Sequence, residues 1–173
     1  MKENRYDDAV FFEKYSQVNR SRQGLSGAGE WGAFKKLLPD FAGKRVLDLG
    51  CGYGWHCQYA VEHGAAEAMG VDSSRRMLSR ARELHTDERI AYRLAAMESL
   101  DFPAASFHVV LSSLAFHYVA DFPALVGRVA QWLRPGGSFV FSVEHPVFTS
   151  VWNAGLVVWS RWDHTPLSGG PLF

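Results

Sequence analysis

A short apolar run, Arg45 to Leu49, passes directly into three alternating glycines, Gly50, Gly52 and Gly54. No other feature of the chain restricts its fold as sharply. The run reads as a buried strand, and glycines at that spacing let the backbone turn into a helix while staying open to a ligand. That helix is expected over about Trp55 to His63, with Gly64 where a C-terminal cap belongs. A second strand, Ala66 to Val71, ends in Asp72, roughly twenty residues beyond the glycine loop.

The alternation then continues. Ser73 or Ser74 caps a helix whose inner face is Met77, Leu78, Ala81 and Leu84 and whose arginines, Arg75, Arg76, Arg80 and Arg82, face water. Further strands are expected over Ile90 to Ala95, Phe107 to Ser112 and Ser138 to Val143. Between the last two lies a helix with the stripe Leu125, Val129, Trp132 and Leu133, ended by Arg134-Pro135-Gly136-Gly137. Right-handed crossovers of these lengths give an α/β fold: a doubly wound, mostly parallel, Rossmann-like sheet in three α/β/α layers.

The chain's 173 residues suit one domain. Within it, 1–43 reads as a helical cap segment, 44–150 as the α/β core and 151–173 as an irregular tail containing Trp152, Trp159 and Trp162. The apolar edge of the fifth strand requires a cover, from further strands, the tail or a second subunit, so a homodimer is one expected arrangement.

Lys+Arg and Asp+Glu both total 18, so no net basic field gathers nucleic acid. Apolar runs fall short of the roughly 20 residues of a membrane span, and acids interrupt the N-terminus where a signal peptide would be apolar. Cys51 and Cys57 form neither a C-x-x-C pair nor a disulfide framework, which fits a reducing cytoplasm. No spacing of histidines, cysteines or acids suggests a metal site.

In a doubly wound sheet the ligand lies beyond the carboxyl ends of the strands, where Asp72 can accept hydrogen bonds from both hydroxyls of a ribose. The dinucleotide fingerprint would need a glycine where this chain has Trp55. Asp48, two residues before the first glycine, would repel a pyrophosphate but attract an ammonium and a sulfonium. Local charge therefore favours S-adenosylmethionine over a nicotinamide dinucleotide.

VLDLGCGYG followed by GVDSS, then AAMESLDFPAASFHVVLSSLAFHYV and LRPGG, resembles the motifs of class I S-adenosylmethionine-dependent methyltransferases. The resemblance is to the small-molecule, methyltransferase type 11-like group and covers about Arg45 to Val143. GEW and EHPVF resemble a bacterial subgroup of it. The resemblance implies that Asp48 and the backbone of Gly50, Cys51, Gly52, Tyr53 and Gly54 hold the methionine end of the cofactor. It assigns Asp72 and Ser73 to the ribose, Met77, Met97 and Glu98 to the adenine, and Ser113 with Leu114 to the methyl-transfer cleft. Ala96 and His108 stand where the family often has aspartates. About 30 residues follow the fifth strand, so the resemblance implies a chain shortened at its C-terminus and lacking the usual last strands.

His117 is the candidate general base, with a structural or substrate-shaping role as its alternative, and His145 follows the next strand in a similar position. His56, His63 and His85 read as surface residues, as does Arg20, whose alternative is a pairing with the cofactor carboxylate. Trp31, Trp55 and Tyr118 can wall the cleft with aromatic faces suited to a sulfonium. The expected function is methyl transfer to a small-molecule acceptor. The alternatives are a cofactor-binding but inactive regulatory or interaction module, a non-binding structural protein and a nicotinamide dehydrogenase.

Overall fold

In a computed structural model of the chain, residues 4–144 and the strand at 157–163 are described. An N-terminal arm comes first: a turn at Arg5–Asp7, then α1 (Ala9–Ser16), α2 (Asn19–Gln23), a turn at Gly24–Gly27, and α3 (Trp31–Leu37). The carboxylate of Asp8 starts α1 by accepting from the Phe11 N–H, at 2.8 Å. Leu38 is extended, as the residue before Pro39 should be, and that ends α3.

The core alternates as the apolar pattern requires. β1 (Arg45–Leu49), α4 (Trp55–Glu62), β2 (Glu67–Asp72), α5 (Arg75–Leu84) and β3 (Ile90–Leu94) form the first half. A turn at Met97–Ser99, β4 (Phe107–Ser113), a turn at Phe116–Tyr118, α6 (Phe122–Trp132) and β5 (Leu133–Glu144) form the second. The sheet order is β3-β2-β1-β4-β5, all parallel, and β6 (Val157–Asp163) then pairs antiparallel with β5. The 151–173 segment, expected to be irregular, thus supplies a strand. Its backbone takes the β5 edge, the cover that a second subunit had been one way to provide.

β1 is buried on both faces because helices lie on both sides of the sheet. Successive residues feed two cores. Leu47, Leu49, Val110 and Phe139 pack with Leu125, Val129 and Trp132 of α6. Val46, Val109, Leu111 and Val140 pack with Phe34 of α3, Ala60 and Val61 of α4, and Leu78 of α5.

β5 begins earlier than the sequence pattern suggests. Leu133 already pairs with Phe107, and the register then shifts so that Ser138 faces Val109. Arg134-Pro135-Gly136-Gly137 is therefore a bulge within the strand rather than a loop before it. The strand order reverses between β1, which leads to β2, and β4, so a crevice opens at their C-terminal ends.

Candidate cofactor and acceptor site

A cavity of about 300 Å³ lies in that crevice. Its floor is the glycine loop. The Gly50 and Cys51 N–H groups both donate to the Val71 carbonyl, at 2.8 and 3.0 Å, clasping the loop to the end of β2. Gly50 has φ +75°, and a Cβ there would stand 2.4 Å from the Ala115 Cβ. Only glycine lets the loop close against the segment after β4.

Asp72 lines the cavity and fastens the loop as well. One carboxylate oxygen accepts from the Gly52 N–H at 2.9 Å, and the other from the Ser74 N–H at 2.8 Å. Burial pushes its pKa up, and the same N–H donors hold it back. Ser74 Oγ accepts from the Met77 N–H and so caps α5, which fixes Met77 at the cavity wall.

Asp48 occupies a different place. It lies beneath the loop, 1% exposed, and does not line the cavity. One oxygen has no partner among the described residues; the other lies 3.9 Å from His56 Nδ1 and 3.8 Å from Cys57 Sγ. Burial, reinforced by the Asp72 charge, pushes Asp48 up to about 7. Burial, with Arg20 nearby, brings His56 down to about 3.

Of the residues the sequence singles out, Gly50, Cys51, Gly52, Tyr53, Asp72, Ser73, Met77, Met97, Ser113 and His117 border the cavity. Asp48, Gly54 and Glu98 do not. Gly54 starts α4 against Tyr92, whose hydroxyl would lie 2.2 Å from a Cβ at that position. The carbonyls of Glu98 and Leu100 accept from Arg128 of α6, which holds the Met97–Ser99 turn. Trp55 and Tyr118 line the cavity, but Trp31 packs instead on Tyr59 and His56, with ring centroids 4.8 and 5.7 Å apart.

Several polar residues are more deeply involved than the sequence suggests. Arg20 is not an ordinary surface arginine. Its guanidinium meets Glu30 at 2.6 Å and donates to Ser113 Oγ at 2.8 Å on the cavity wall. Ser113 donates onward to Glu30 and accepts from Ser142 Oγ. Ser142 in turn anchors the Leu114 N–H, where Leu114 sits at φ +52° beside the cavity. His56 is 7% exposed and borders the cavity, and His85 is buried against Trp55, 4.7 Å between ring centroids. His63 is exposed, as expected, and stacks on Tyr59. His108 accepts from the Arg45 N–H at 3.0 Å, which gives it a structural task.

The mouth is aromatic. Tyr6, from the arm, and Tyr118, after β4, share a hydroxyl hydrogen bond of 3.2 Å, and the Tyr15 ring meets Tyr6 edge-on at 5.2 Å. Glu144, at the end of β5, borders the same space and was not foreseen. His117 feels it: burial lowers the imidazole pKa, while the Glu144 carboxylate raises it. His145 and His164 lie outside the described residues. Among the described residues no group of His, Cys, Asp and Glu is arranged to hold a metal, and no helix is long and apolar enough to cross a membrane.

The cavity wall thus brings together a carboxylate, Asp72, the apolar side chains of Met77 and Met97, and the backbone of the glycine loop. A family model described as a methyltransferase domain matches residues 47–141. An uncharacterized protein of Haemophilus influenzae is 37% identical over 150 residues, covering 83% of this chain and 59% of that relative. The ubiquinone biosynthesis O-methyltransferase of a Bradyrhizobium species is 37% identical over 110 residues, covering 62% of this chain and 42% of the enzyme. The crystal structure of an S-adenosylmethionine dependent methyltransferase from Mesorhizobium loti superimposes with a TM-score of 0.72 at 46% identity, over 79% of this chain and 65% of that one. The chain thus spans 42% to 65% of these relatives' lengths. Its sheet order, its glycine loop and a family match covering more than half of its residues lead to one conclusion: the chain belongs to the methyltransferase-domain family.

Proposed function

We propose that the chain binds S-adenosylmethionine in the cavity above the glycine loop and directs its methyl group to a small organic acceptor. The observation that carries this reading is Asp72. It is a largely buried carboxylate at the end of β2, held by two backbone donors and bordering a cavity with Met77 on the next helix. That arrangement suits a ribose with its base in the apolar slot.

The remaining residues fit the rest of the cofactor. The loop from Gly50 to Tyr53 leaves the backbone open at the amino-acid end, and Arg20 brings a cation for a carboxylate. Asp48, one of whose oxygens lacks a partner among the described residues, lies buried beneath that end of the loop. The bound cofactor supplies an electrophilic methyl on a sulfonium leaving group. The chain's own task is alignment and exclusion of water, in which positioning supplies several kcal/mol of the barrier. Ser113 and Leu114 form the wall nearest the reacting centre, and His117 at the mouth is placed to take a proton from the acceptor. Two buried free cysteines, Cys51 and Cys57, accord with a cytoplasmic setting for this reaction.

Calorimetric titration of the chain with S-adenosylmethionine, S-adenosylhomocysteine and NAD tests the reading. Binding of both sulfur nucleosides with none of NAD is expected; binding of NAD alone, or of none of the three, overturns it.

A further inference from the structure

Resting on that reading of the cavity, we propose that the acceptor is a small amine, received between the carboxylate of Glu144 and the rings of Tyr6 and Tyr118. Glu144 is then the residue that selects it.

The charges around the cavity support this assignment. Among the described residues Arg20 is the only arginine or lysine on the wall; it is engaged by Glu30 at 2.6 Å and, on the present reading, by the cofactor carboxylate. Asp72 is committed at the other end, to two loop N–H groups and, on the present reading, the ribose. Glu144 stands at the acceptor end, exposed, with no hydrogen bond or ion pair recorded for it among the described residues. An acceptor bearing a carboxylate or phosphate would meet that carboxylate with no further cation among the described residues to offset it. An ammonium would meet a complementary charge.

The rings add a second, independent reason. Tyr6 and Tyr118 are perpendicular, with centroids 6.2 Å apart, and Tyr15 stands at 86° to Tyr6. Faces and edges set at right angles make a corner in which a cation finds a ring face.

His117 completes the device. Burial keeps its pKa below the ordinary imidazole value, so it is neutral and able to receive a proton near neutral pH. The acceptor nitrogen releases its proton to His117 and thence to water. Its lone pair then forms the bond to the methyl carbon as the carbon–sulfur bond breaks, and that bonding pair stays on sulfur.

Ternary binding tests the proposal without requiring turnover. The chain is saturated with S-adenosylhomocysteine and titrated with benzylamine, benzyl alcohol and benzoate, which share a ring and differ in charge. Benzylamine is expected to bind at least about ten-fold more tightly than either of the others. Glu144→Gln should erase that preference while leaving the S-adenosylhomocysteine dissociation constant unchanged. Tyr118→Phe should preserve the preference and Tyr118→Leu should reduce it. Equal binding of the three probes, a preference for the alcohol or benzoate, or an amine preference untouched by Glu144→Gln overturns the proposal. Failure to bind S-adenosylhomocysteine at all overturns the methyl-transfer reading itself, so the two failures are distinguishable.

Discussion

Asp48 and Asp72 end neighbouring strands, yet their surroundings give them opposite tasks. Asp72 is met by two N–H donors and faces the cavity, so it can serve a ligand as an anion. Asp72→Ala should weaken S-adenosylhomocysteine binding by about 1.5–3 kcal/mol, the worth of hydrogen bonds to a charged group. An unchanged dissociation constant by calorimetry would remove Asp72 from the ribose. Asp48 has no such donors; it lies 3.9 Å from His56, and burial disfavours the charged form of each. From the ordinary carboxylate value of 3.8 up to about 7, folded Asp48 keeps a proton that the unfolded chain releases, so its contribution to stability falls as pH rises. His56, depressed from 6.5 to about 3, does the reverse: its contribution is present above 6.5 and is lost as pH falls. Between roughly pH 4 and 6.5 the two slopes cancel. Asp48→Asn removes one of them, so the variant's stability should climb with pH across that window, by about 1 kcal/mol per pH unit. Urea midpoints at pH 4.5, 5.5 and 6.5 would show this as a steeper rise than the native chain's, and parallel curves would refute the raised pKa of Asp48.

At the scale of elements, the glycine loop depends on its neighbour strand as much as on its own sequence. Gly70 in β2 lies directly behind the loop: a Cβ there would stand 2.8 Å from Cys51 Sγ, 2.9 Å from the Tyr92 ring and 3.0 Å from Cys57 Sγ. Gly70→Ala should therefore destabilise the fold by about 1–3 kcal/mol through overpacking and weaken S-adenosylhomocysteine binding by displacing Cys51. Denaturant unfolding and calorimetry on the same sample would check both halves, and a neutral variant would mean the strand can shift to make room. Such cross-element contacts mark where sequence reading stops. The five parallel strands, a cap of α5 at Ser73 or Ser74, and Leu125, Val129 and Trp132 of the α6 stripe were legible, because each is written in local periodicity or in a capping residue; Leu133, read into that stripe, starts β5. His56 and His85 were not. On α4 alone His56 belongs to a polar face, but Trp31 and Phe34 of α3 pack over that face, at 5.7 and 5.2 Å between ring centroids. Glu144 and Arg20 escaped for the same reason, since each enters the cavity from a segment remote in sequence from the glycine loop. A bulge such as the one at Arg134 to Gly137 likewise looks like a loop until the pairing of Leu133 with Phe107 is seen.

The whole molecule is a rigid sheet with an arm laid across its open end. Residues 5–23 bring Tyr6, Tyr15 and Arg20 to the cavity, and besides the Tyr6–Tyr118 hydroxyl bond the arm is pinned at two places. Arg20 ties it to Glu30 and Ser113, while Asp7 ties it to the start of α5. There the Asp7 carboxylate accepts from Ser74 Oγ at 2.7 Å and from the Arg76 N–H at 3.1 Å, and its carbonyl accepts from Arg76 Nε at 3.0 Å. None of the residues of α1 is fully buried, and its packing on the core runs through the Phe12 and Tyr15 rings against Tyr53, so the arm relies on these ties as well. Ligand binding beneath the arm and closure of the arm should therefore be coupled, each favouring the other by the same free energy. Asp7→Ala breaks the side-chain tie at α5 without touching the cavity wall. It should speed hydrogen exchange over residues 9–16 in the free protein and weaken S-adenosylhomocysteine binding by about 1 kcal/mol, roughly five-fold in dissociation constant. Saturating S-adenosylhomocysteine should restore much of the lost protection, because the bound ligand supplies the arm with contacts from below. Faster exchange with an unchanged dissociation constant would show that the arm rests on the sheet without sensing the ligand. A weaker ligand with unchanged exchange would instead place the effect of Asp7 in the cap of α5.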